Sequence, residues 1–265
     1  MFRLYALISE NRIARIINKA VLTLLIVKNF PTAFFDYLKI NRKPLITLKL
    51  YSGLKVKLRS NTVDSHEAVT VLSGQEYPYQ LLKSNLLPSA TVFDVGAHVG
   101  SFSLYCKNIR PDLRLYCFEP ALDNFKILRE NIAINNFSDI KLFQLAVAGR
   151  TGRKYLATGG LKSNAYALSQ AGSPVDSIDL DTFIESENIE AINLIKMDCE
   201  GAEFEILANF KSLKKVRSII LEYHRQSNEL DDKYLIDLME GRGFKLLNRR
   251  DLSAHMRGIL YFEQA

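Results

Sequence analysis

The sequence has only three cysteines in 265 residues, and no two of them have the C-x-x-C spacing of a metal or redox site. Cys106, Cys117 and Cys199 lie far apart in apolar or strand-like contexts, so we expect buried, reduced thiols. This excludes a disulfide scaffold and favours a reducing, cytoplasmic compartment. The sequence also lacks internal repeats and low-complexity tracts, while 48% of its residues are hydrophobic. A disordered chain is thereby excluded, and a globular fold with a substantial core is predicted.

Long apolar runs are missing as well. The longest run, residues 20–27, contains Thr23 and is far shorter than the roughly 20 residues that a bilayer span requires. No small-residue cleavage site follows it, so we do not predict a signal peptide.

Acidic residues are scarce at the N-terminus. Residues 1–60 contain 12 Lys and Arg against 2 acids, whereas residues 61–265 contain 23 against 27. The formal net charge of +6 therefore arises in the N-terminal segment.

This segment contains a predicted amphipathic helix, with Arg12, Arg15 and Lys19 on its polar face. Its apolar face consists of Ile13, Ile16, Ile17, Ala20, Leu24 and Val27. Two kinds of partner suit such a helix: the catalytic domain or a second subunit of a homo-oligomer, and an anionic membrane surface. We therefore expect a cytoplasmic protein that either packs this helix on protein or makes peripheral contact with a membrane.

Residues 1–60 are predicted to be a helical extension followed by a hairpin. The first helix should end at residues 29–31 because Pro31 lacks a backbone donor. A second short helix is predicted at residues 32–38, and the alternation of residues 46–59 around Ser52-Gly53 is typical of a β-hairpin.

Strands and helices alternate in the second predicted domain, residues 61–265. A helical stretch at residues 64–87 comes first. The predicted strands are residues 91–95, 114–118, 140–147, 193–197 and 218–222, and the predicted helices are residues 101–109, 123–135, 202–210 and 231–242. This β-α-β order predicts a three-layer α/β fold with a mostly parallel sheet. Residues 149–178 suggest a loop or small hairpin, and residues 244–247 with 259–262 an antiparallel pair that closes the sheet.

A glycine turn follows the strand of residues 91–95. Gly96 and Gly100 would let the backbone turn sharply and let a ligand approach it closely. The spacing is G-x-x-x-G and not the G-x-G-x-x-G of dinucleotide sites, and Asp94 stands two residues before the first glycine. An acid beside the turn suits a cationic ligand such as S-adenosylmethionine, which carries a sulfonium and an ammonium group.

Acids also end the later strands. Glu119 comes 23 residues after Gly96, at a distance typical of a carboxylate that accepts ribose hydroxyls. Asp198 and Glu200 follow a third apolar strand, and Glu222 and His224 end a fourth. Because ligands of open α/β sheets bind at the carboxyl ends of strands, we expect these side chains to face one cleft. The alternatives are a solvated acid or histidine at each position and, for Glu203, an acid that complements a helix dipole.

The runs VFDVGAHVG, CFEP, SIDLDTFI, NLIKMDCEGAEFEIL and ILEYH, in this order and spacing, resemble the FkbM methyltransferase family. The resemblance covers roughly residues 61–225, chiefly through K-x-D-x-E-G-x-E, and Asp64 and Glu76-Tyr77 resemble the region before the first strand. It implies a class I methyltransferase fold, which is Rossmann-like, with S-adenosylmethionine as methyl donor. It also implies a hydroxyl acceptor on a sugar or a natural product.

The resemblance also implies roles for residues of the cofactor site. Asp94, Gly96 and Gly100 would hold the methionine end of the cofactor, with Ala97 and His98 in the same turn. Glu119 would bind the ribose, and Ala146 and Val147 would lie near the adenine. His98 stands where the family often has Asn, so a hydrogen bond is retained with a different geometry.

For the transfer of a methyl group to an alcohol, a general base would contribute roughly 10²- to 10⁴-fold. The candidates are His224, Asp198 and Glu200, with Lys196 as an electrostatic partner. The cluster of these acids with Glu222 and His224 would alternatively hold a divalent cation, which we do not favour because most acids at strand ends bind no metal.

Three functions follow. The first is an O-methyltransferase that acts on a small-molecule or saccharide hydroxyl. The second is an S-adenosylmethionine-binding module without catalysis that serves a partner or a membrane surface. Such a module would not need the acids at the later strand ends. The third, nucleic-acid methylation, is not expected because residues 61–265 are net acidic and lack an N-P-P-Y type of strand end.

Overall fold

A computed structural model describes residues 12–158, 166–227, 229–253 and 256–265. The helices in these residues are α1 (Arg12–Ile26), α2 (Phe30–Tyr37), α3 (Asp64–Leu72), α4 (Tyr79–Leu82), α5 (Ser101–Ile109), α6 (Leu122–Ile134), α7 (Leu180–Ser186), α8 (Glu203–Asn209) and α9 (Asp232–Glu240). The strands are β1 (Leu45–Lys49), β2 (Lys55–Arg59), β3 (Thr91–Val95), β4 (Arg114–Phe118), β5 (Ile140–Phe143), β6 (Ala146–Val147), β7 (Gly152–Thr158), β8 (Tyr166–Ser169), β9 (Ser173–Ile178), β10 (Ile192–Met197), β11 (Val216–His224), β12 (Phe244–Ser253) and β13 (Arg257–Gln264).

The largest sheet has seven strands in the order β12-β13-β11-β10-β3-β4-β5. Strands β11, β10, β3, β4 and β5 are paired in parallel, and β13 runs antiparallel to both of its neighbours. The predicted α/β class, the mostly parallel sheet and the antiparallel strand near the C-terminus are thereby confirmed. Because β3 lies between β10 and β4, the turn after β3 is placed beside the ends of both.

Apolar side chains on the two faces of this sheet form two cores. On one face, Val92 and Leu115 pack with α5, α6 and the β1–β2 hairpin. On the other face, Phe93 and Phe118 pack with α7, α8 and α9, and their rings contact Phe183. Helices therefore cover both faces of the sheet, which gives the three layers that the sequence predicts.

The N-terminal hairpin is joined to α6 by two amide side chains. Asn131 Oδ1 accepts from Lys57 N at 2.6 Å, and Asn135 Oδ1 accepts from Lys55 N at 2.9 Å. The predicted hairpin turns at Gly53, whose φ of +95° favours glycine. The hairpin packs into the core of the sheet and has no separate core. The predicted domain boundary at residue 60 stays a prediction.

Two predicted segments are divided in the structure. The single strand predicted at residues 140–147 is wrong, because β5 ends at Phe143 and β6 pairs in parallel with β9. A second sheet, in the order β6-β9-β7-β8, occupies most of the stretch predicted as a loop or hairpin. The helical stretch predicted at residues 64–87 is interrupted after α3, where Gly74 has a φ of +73°.

The three cysteines are free thiols, two of them buried and Cys199 half-buried, as predicted. None of the helices in the described residues combines the length and apolarity that crossing a bilayer requires.

Candidate functional site

The glycine turn after β3 is tightly packed. Gly96 has a φ of +74°, and a Cβ atom there would lie 1.9 Å from the carbonyl oxygen of Asp198. Gly100 has a φ of +90°, and its Cβ would lie 2.6 Å from a methyl carbon of Leu128. Both glycines are therefore required by the backbone conformation and by close contacts with the chain after β10 and with α6.

A buried ion pair lies beneath this turn. Asp94 Oδ1 is 3.3 Å from Lys196 Nζ, and Asp94 Oδ2 accepts a hydrogen bond from Ser103 Oγ at 2.6 Å. Lys196 Nζ also donates to the carbonyl oxygen of Gly96 at 2.7 Å. Burial opposes the charge of Lys196, but Asp94 and Asp198 raise its pKa above the ordinary value. Lys196 therefore joins β10 to the glycine turn, and its ion pair with Asp94 holds it in position.

Glu119 holds the turn from the end of β4. Its Oε2 accepts from the backbone N–H of His98 at 2.8 Å, and its Oε1 accepts from Ala121 N and from Asn124 Nδ2 at 2.9 and 3.2 Å. Burial raises the pKa of Glu119 to about 7 despite these donors. Each carboxylate oxygen has two lone pairs, so Oε2 retains acceptor capacity for a ligand hydroxyl.

The hydrogen bond from Arg59 fixes the tautomer of His98. Arg59 Nη2 lies 2.9 Å from His98 Nε2, and because a guanidinium only donates, this nitrogen accepts. The ring is therefore neutral and carries its proton on Nδ1, which lies 3.9 Å from Glu67 Oε2. Burial, supported by the charge of Arg59 and opposed by that of Asp64, lowers the pKa of His98 to about 4.

Arg59, from the N-terminal hairpin, completes a closed ring of hydrogen bonds. Its Nε donates to Asp64 Oδ2 at 2.8 Å and its Nη1 to Asn124 Oδ1 at 2.7 Å. Asn124 in turn donates to Glu119, which accepts from the backbone of His98. The conformation of the turn is thus coupled to the last residue of β2.

The acids after β10 and β11 meet, as the sequence predicts. His224 Nε2 lies 3.5 Å from both Glu200 Oε2 and Glu222 Oε1. One ligand atom each of Asp198, Glu222 and His224 lies within 4.8 Å of the other two. Burial disfavours the imidazolium, but the surrounding acids, first Glu203 and then Asp198, raise the pKa of His224 to about 9. The surrounding acids therefore favour the protonated imidazole.

Two further residues hold this cluster in place. Glu203 is fully buried and accepts from the backbone N–H groups of Cys199 and Gly201 at 2.6 and 2.9 Å. It therefore fixes the loop after β10, a more specific role than complementing a helix dipole. Arg257 Nε lies 3.1 Å from Glu222 Oε1, and burial raises the pKa of that carboxyl.

Comparison with known proteins identifies the family. The model of the Methyltransferase FkbM domain matches residues 94–246, which include the glycine turn and the strands that carry the acids. The chain belongs to the FkbM methyltransferase family. Its activity is therefore methyl transfer, as the sequence predicts.

Relatives of this FkbM-family protein act on different acceptors. The 2-O-methyltransferase NoeI of Sinorhizobium fredii is 27% identical over 72% of this chain and 88% of its own length. The hexuronic acid methyltransferase AglP of Haloferax volcanii is 25% identical over 69% and 75%. The 31-O-demethyl-FK506 methyltransferase FkbM of Streptomyces tacrolimicus is 26% identical over 63% and 76%. A solved transferase structure from Pyrococcus horikoshii covers 84% of this chain and 73% of its own, with 16% identity and a TM-score of 0.50, which agrees in fold.

Sequence reasoning missed several residues of this methyltransferase that line or support the site. The contacts that bring Arg59 to the turn carry no local signal, because His98 and Asn124 lie 39 and 65 residues away from it in the sequence. Glu67, on α3, lies at the same cleft, where its Oε2 is 3.9 Å from His98 Nδ1. Together with Asp64 and His98, Glu67 forms a second group whose ligand atoms lie within 4.8 Å of one another.

Ala146 and Val147 are buried in β6 and pair with β9, so they lie in the second sheet. Their predicted position near an adenine ring stays a prediction.

Proposed function

We propose that this protein is an S-adenosylmethionine-dependent O-methyltransferase whose acceptor is a saccharide hydroxyl. The observation that carries the proposal is the meeting of Asp198, which follows β10, with Glu222 and His224 at the end of β11, beside the glycine turn. One relative, named a 2-O-methyltransferase, supports transfer to oxygen, and another, named a hexuronic acid methyltransferase, supports a saccharide as the acceptor.

S-adenosylmethionine, when bound, supplies a methyl group on a positively charged sulfur. The residues of the turn fit such a ligand. Glu119 Oε2 has a free lone pair for a ribose hydroxyl, and the Nδ1–H of His98 is a donor suited to a carboxylate. The carboxylates of the cleft, Asp198 and Glu200 among them, favour a ligand with a cationic centre.

A cavity of about 400 Å³ beside Glu200 is our candidate acceptor groove. Gly201 and Gln226 lie on its near side, and Phe204 and Tyr234 supply aromatic surface. Aromatic rings combined with a few polar groups are typical of sites for small polar ligands. Glu200 belongs both to the groove and to the acidic cluster, so a hydroxyl bound beside Glu200 would lie at the edge of the cluster.

We assign the general base to Asp198. Its carboxylate accepts no hydrogen bond from the described residues, whereas Glu222 pairs with Arg257 and Glu203 binds backbone N–H groups. The acids around His224 favour its protonated form, which makes the imidazole less suited to take up a proton. Asp198 would take the proton of the acceptor hydroxyl, and the fixed turn and groove would position the reactants.

The same donor set, two carboxylates and one imidazole, also suits a divalent cation. We favour the base because most acids at strand ends bind no metal.

The test is the steady-state kinetics of Asp198→Asn, measured beside binding of S-adenosylmethionine by calorimetry. We expect kcat to fall roughly 10²- to 10⁴-fold with little change in cofactor affinity. Glu190→Gln is the matched control. Glu190 is an exposed acid before the start of β10, whereas Asp198 follows the end of that strand, so the control should behave as wild type. A fully active Asp198→Asn would exclude the assignment.

A further inference from the structure

The described part of the chain concentrates its exposed apolar side chains near the N-terminus. Ten of its twenty exposed large hydrophobic residues lie in the short stretch between residues 17 and 45. We call this set the N-terminal surface: Ile17, Val21, Leu24, Leu25, Phe34, Phe35, Tyr37, Leu38, Ile40 and Leu45. Single exposed apolar residues are ordinary, but their concentration on the adjoining elements α1, α2 and β1 indicates an interaction site.

Helix α1 has two apolar faces, of which the described residues cover only one. Leu22 and Ile26 pack on the core of the domain. Ile17, Val21 and Leu24 recur at i, i+4 and i+7 on the opposite side, and Leu25 beside them is 67% exposed. Packing on the catalytic domain therefore accounts for the inner face and leaves the outer one for a partner.

The charges on this surface have one sign. Lys28, Lys39, Arg42 and Lys43 are exposed around the apolar residues. The single acid between residues 12 and 60 is Asp36, which is buried and accepts hydrogen bonds from Asn61 N and from Ser65 Oγ. The surface is therefore apolar and basic, with no exposed carboxylate of its own segment.

We propose that the N-terminal surface docks on a bilayer that contains anionic phospholipid. Its apolar side chains would enter the boundary between head groups and acyl chains, and its Lys and Arg side chains would contact lipid phosphates. A second copy of the chain fits less well, because a symmetric interface would bring two basic surfaces together. Charge complementarity thus selects the lipid. The proposal does not depend on the methyl acceptor.

The test is sedimentation of the full chain with vesicles of two compositions. One is phosphatidylcholine alone, and the other contains phosphatidylglycerol as about a third of its lipid. We expect binding to the anionic vesicles, little binding to the neutral ones, and release by salt. Lys39→Glu/Arg42→Glu/Lys43→Glu should weaken binding by at least ~5-fold per charge removed.

Leu24→Asp/Leu25→Asp should also abolish binding, whereas Leu247→Asp, at a comparably exposed residue outside this surface, should not. An unchanged thermal transition of each variant establishes that the fold is retained. Three results would overturn the proposal. The first is failure of the wild type to bind anionic vesicles. The second is a dimer, detected by light scattering, that Leu24→Asp/Leu25→Asp dissociates. The third is vesicle binding that requires removal of residues 1–11, which would identify that segment as the occupant of the surface.

Discussion

Replacement of Arg59 by methionine should destabilise the protein strongly, and by an amount that depends on pH. Arg59 makes hydrogen bonds to Asp64, Asn124 and His98, and the Asp64 side chain is fully buried. Arg59→Met retains the length of the side chain and the backbone donor to Asp64, but removes the charge and the side-chain donors. Since a buried carboxylate then loses its charged partner, we expect the free energy of unfolding to fall by about 3–5 kcal/mol at pH 7.

The pH dependence follows from the pKa of Asp64. Burial raises this pKa, but the hydrogen bonds and charge of Arg59, together with His98, lower it below its ordinary value. A lowered pKa in the folded state contributes stability that is present above the pKa of the unfolded chain, near 3.9, and is lost as pH falls through the folded value. In Arg59→Met, burial raises the pKa of Asp64, so that Asp64 takes up a proton as pH falls. The difference in free energy of unfolding between wild type and variant should therefore shrink as pH falls towards about 4.

The assay is urea denaturation of both proteins at a series of pH values, with Arg153→Met at an exposed ion pair as control. NMR titration of the imidazoles adds a local measurement, because His98 should titrate near pH 4 in the wild type. Two results would refute the reasoning. One is a fall in the free energy of unfolding of less than about 1 kcal/mol in Arg59→Met at pH 7, and the other is an ordinary pKa near 6.5 for His98.

Three further predictions concern the turn and the acidic cluster. Gly96→Ala should prevent stable folding or cofactor binding, because its Cβ would lie 1.9 Å from a backbone oxygen. Circular dichroism measures the folding and calorimetry the binding. A stable variant that binds the cofactor as wild type does would contradict this prediction. The pKa of His224 is raised to about 9 in the folded protein, against about 6.5 in the unfolded chain. The stability that this shift contributes is complete below pH 6.5 and is lost as pH rises through 9. The free energy of unfolding should therefore decline over this window in the wild type, and less so in His224→Gln. Chelation by EDTA should leave methyl transfer unchanged if Asp198 is the base, whereas loss of activity that Mg²⁺ or Mn²⁺ restores would favour a cation held by Asp198, Glu222 and His224.

Much of the fold follows from local patterns in the sequence. The predicted bounds of β3, β4 and α5 are those of the structure, because each element is a short apolar strand or amphipathic helix bounded by turn residues. The strand predicted at residues 140–147 failed because no turn residue interrupts its apolar run, although the chain changes sheet after Phe143. Helix α7 was not predicted, yet Asp179, which accepts from the backbone N–H of Thr182, was a usable capping signal.

The site was predictable only where topology alone brings residues together. Parallel strands place their carboxyl ends at one edge, so the meeting of Glu200, Glu222 and His224 could be expected. The pairing of Asp94 with Lys196 depends on the adjacency of β3 and β10, which the order of elements in the chain does not reveal. The contact between Arg59 and His98 depends on how the N-terminal hairpin packs, for which a single sequence offers no local signal.

The most direct test of the account is to incubate the wild-type protein with S-adenosylmethionine carrying a ¹³C-labelled methyl group and a panel of hexoses, uronic acids and their glycosides. NMR of the products then locates the labelled carbon. We predict a methyl ether on a sugar oxygen, formed by the wild type and not by Asp198→Asn. A folded protein that binds S-adenosylmethionine but labels no acceptor, or one that places the methyl group on nitrogen or carbon, would contradict the proposed function.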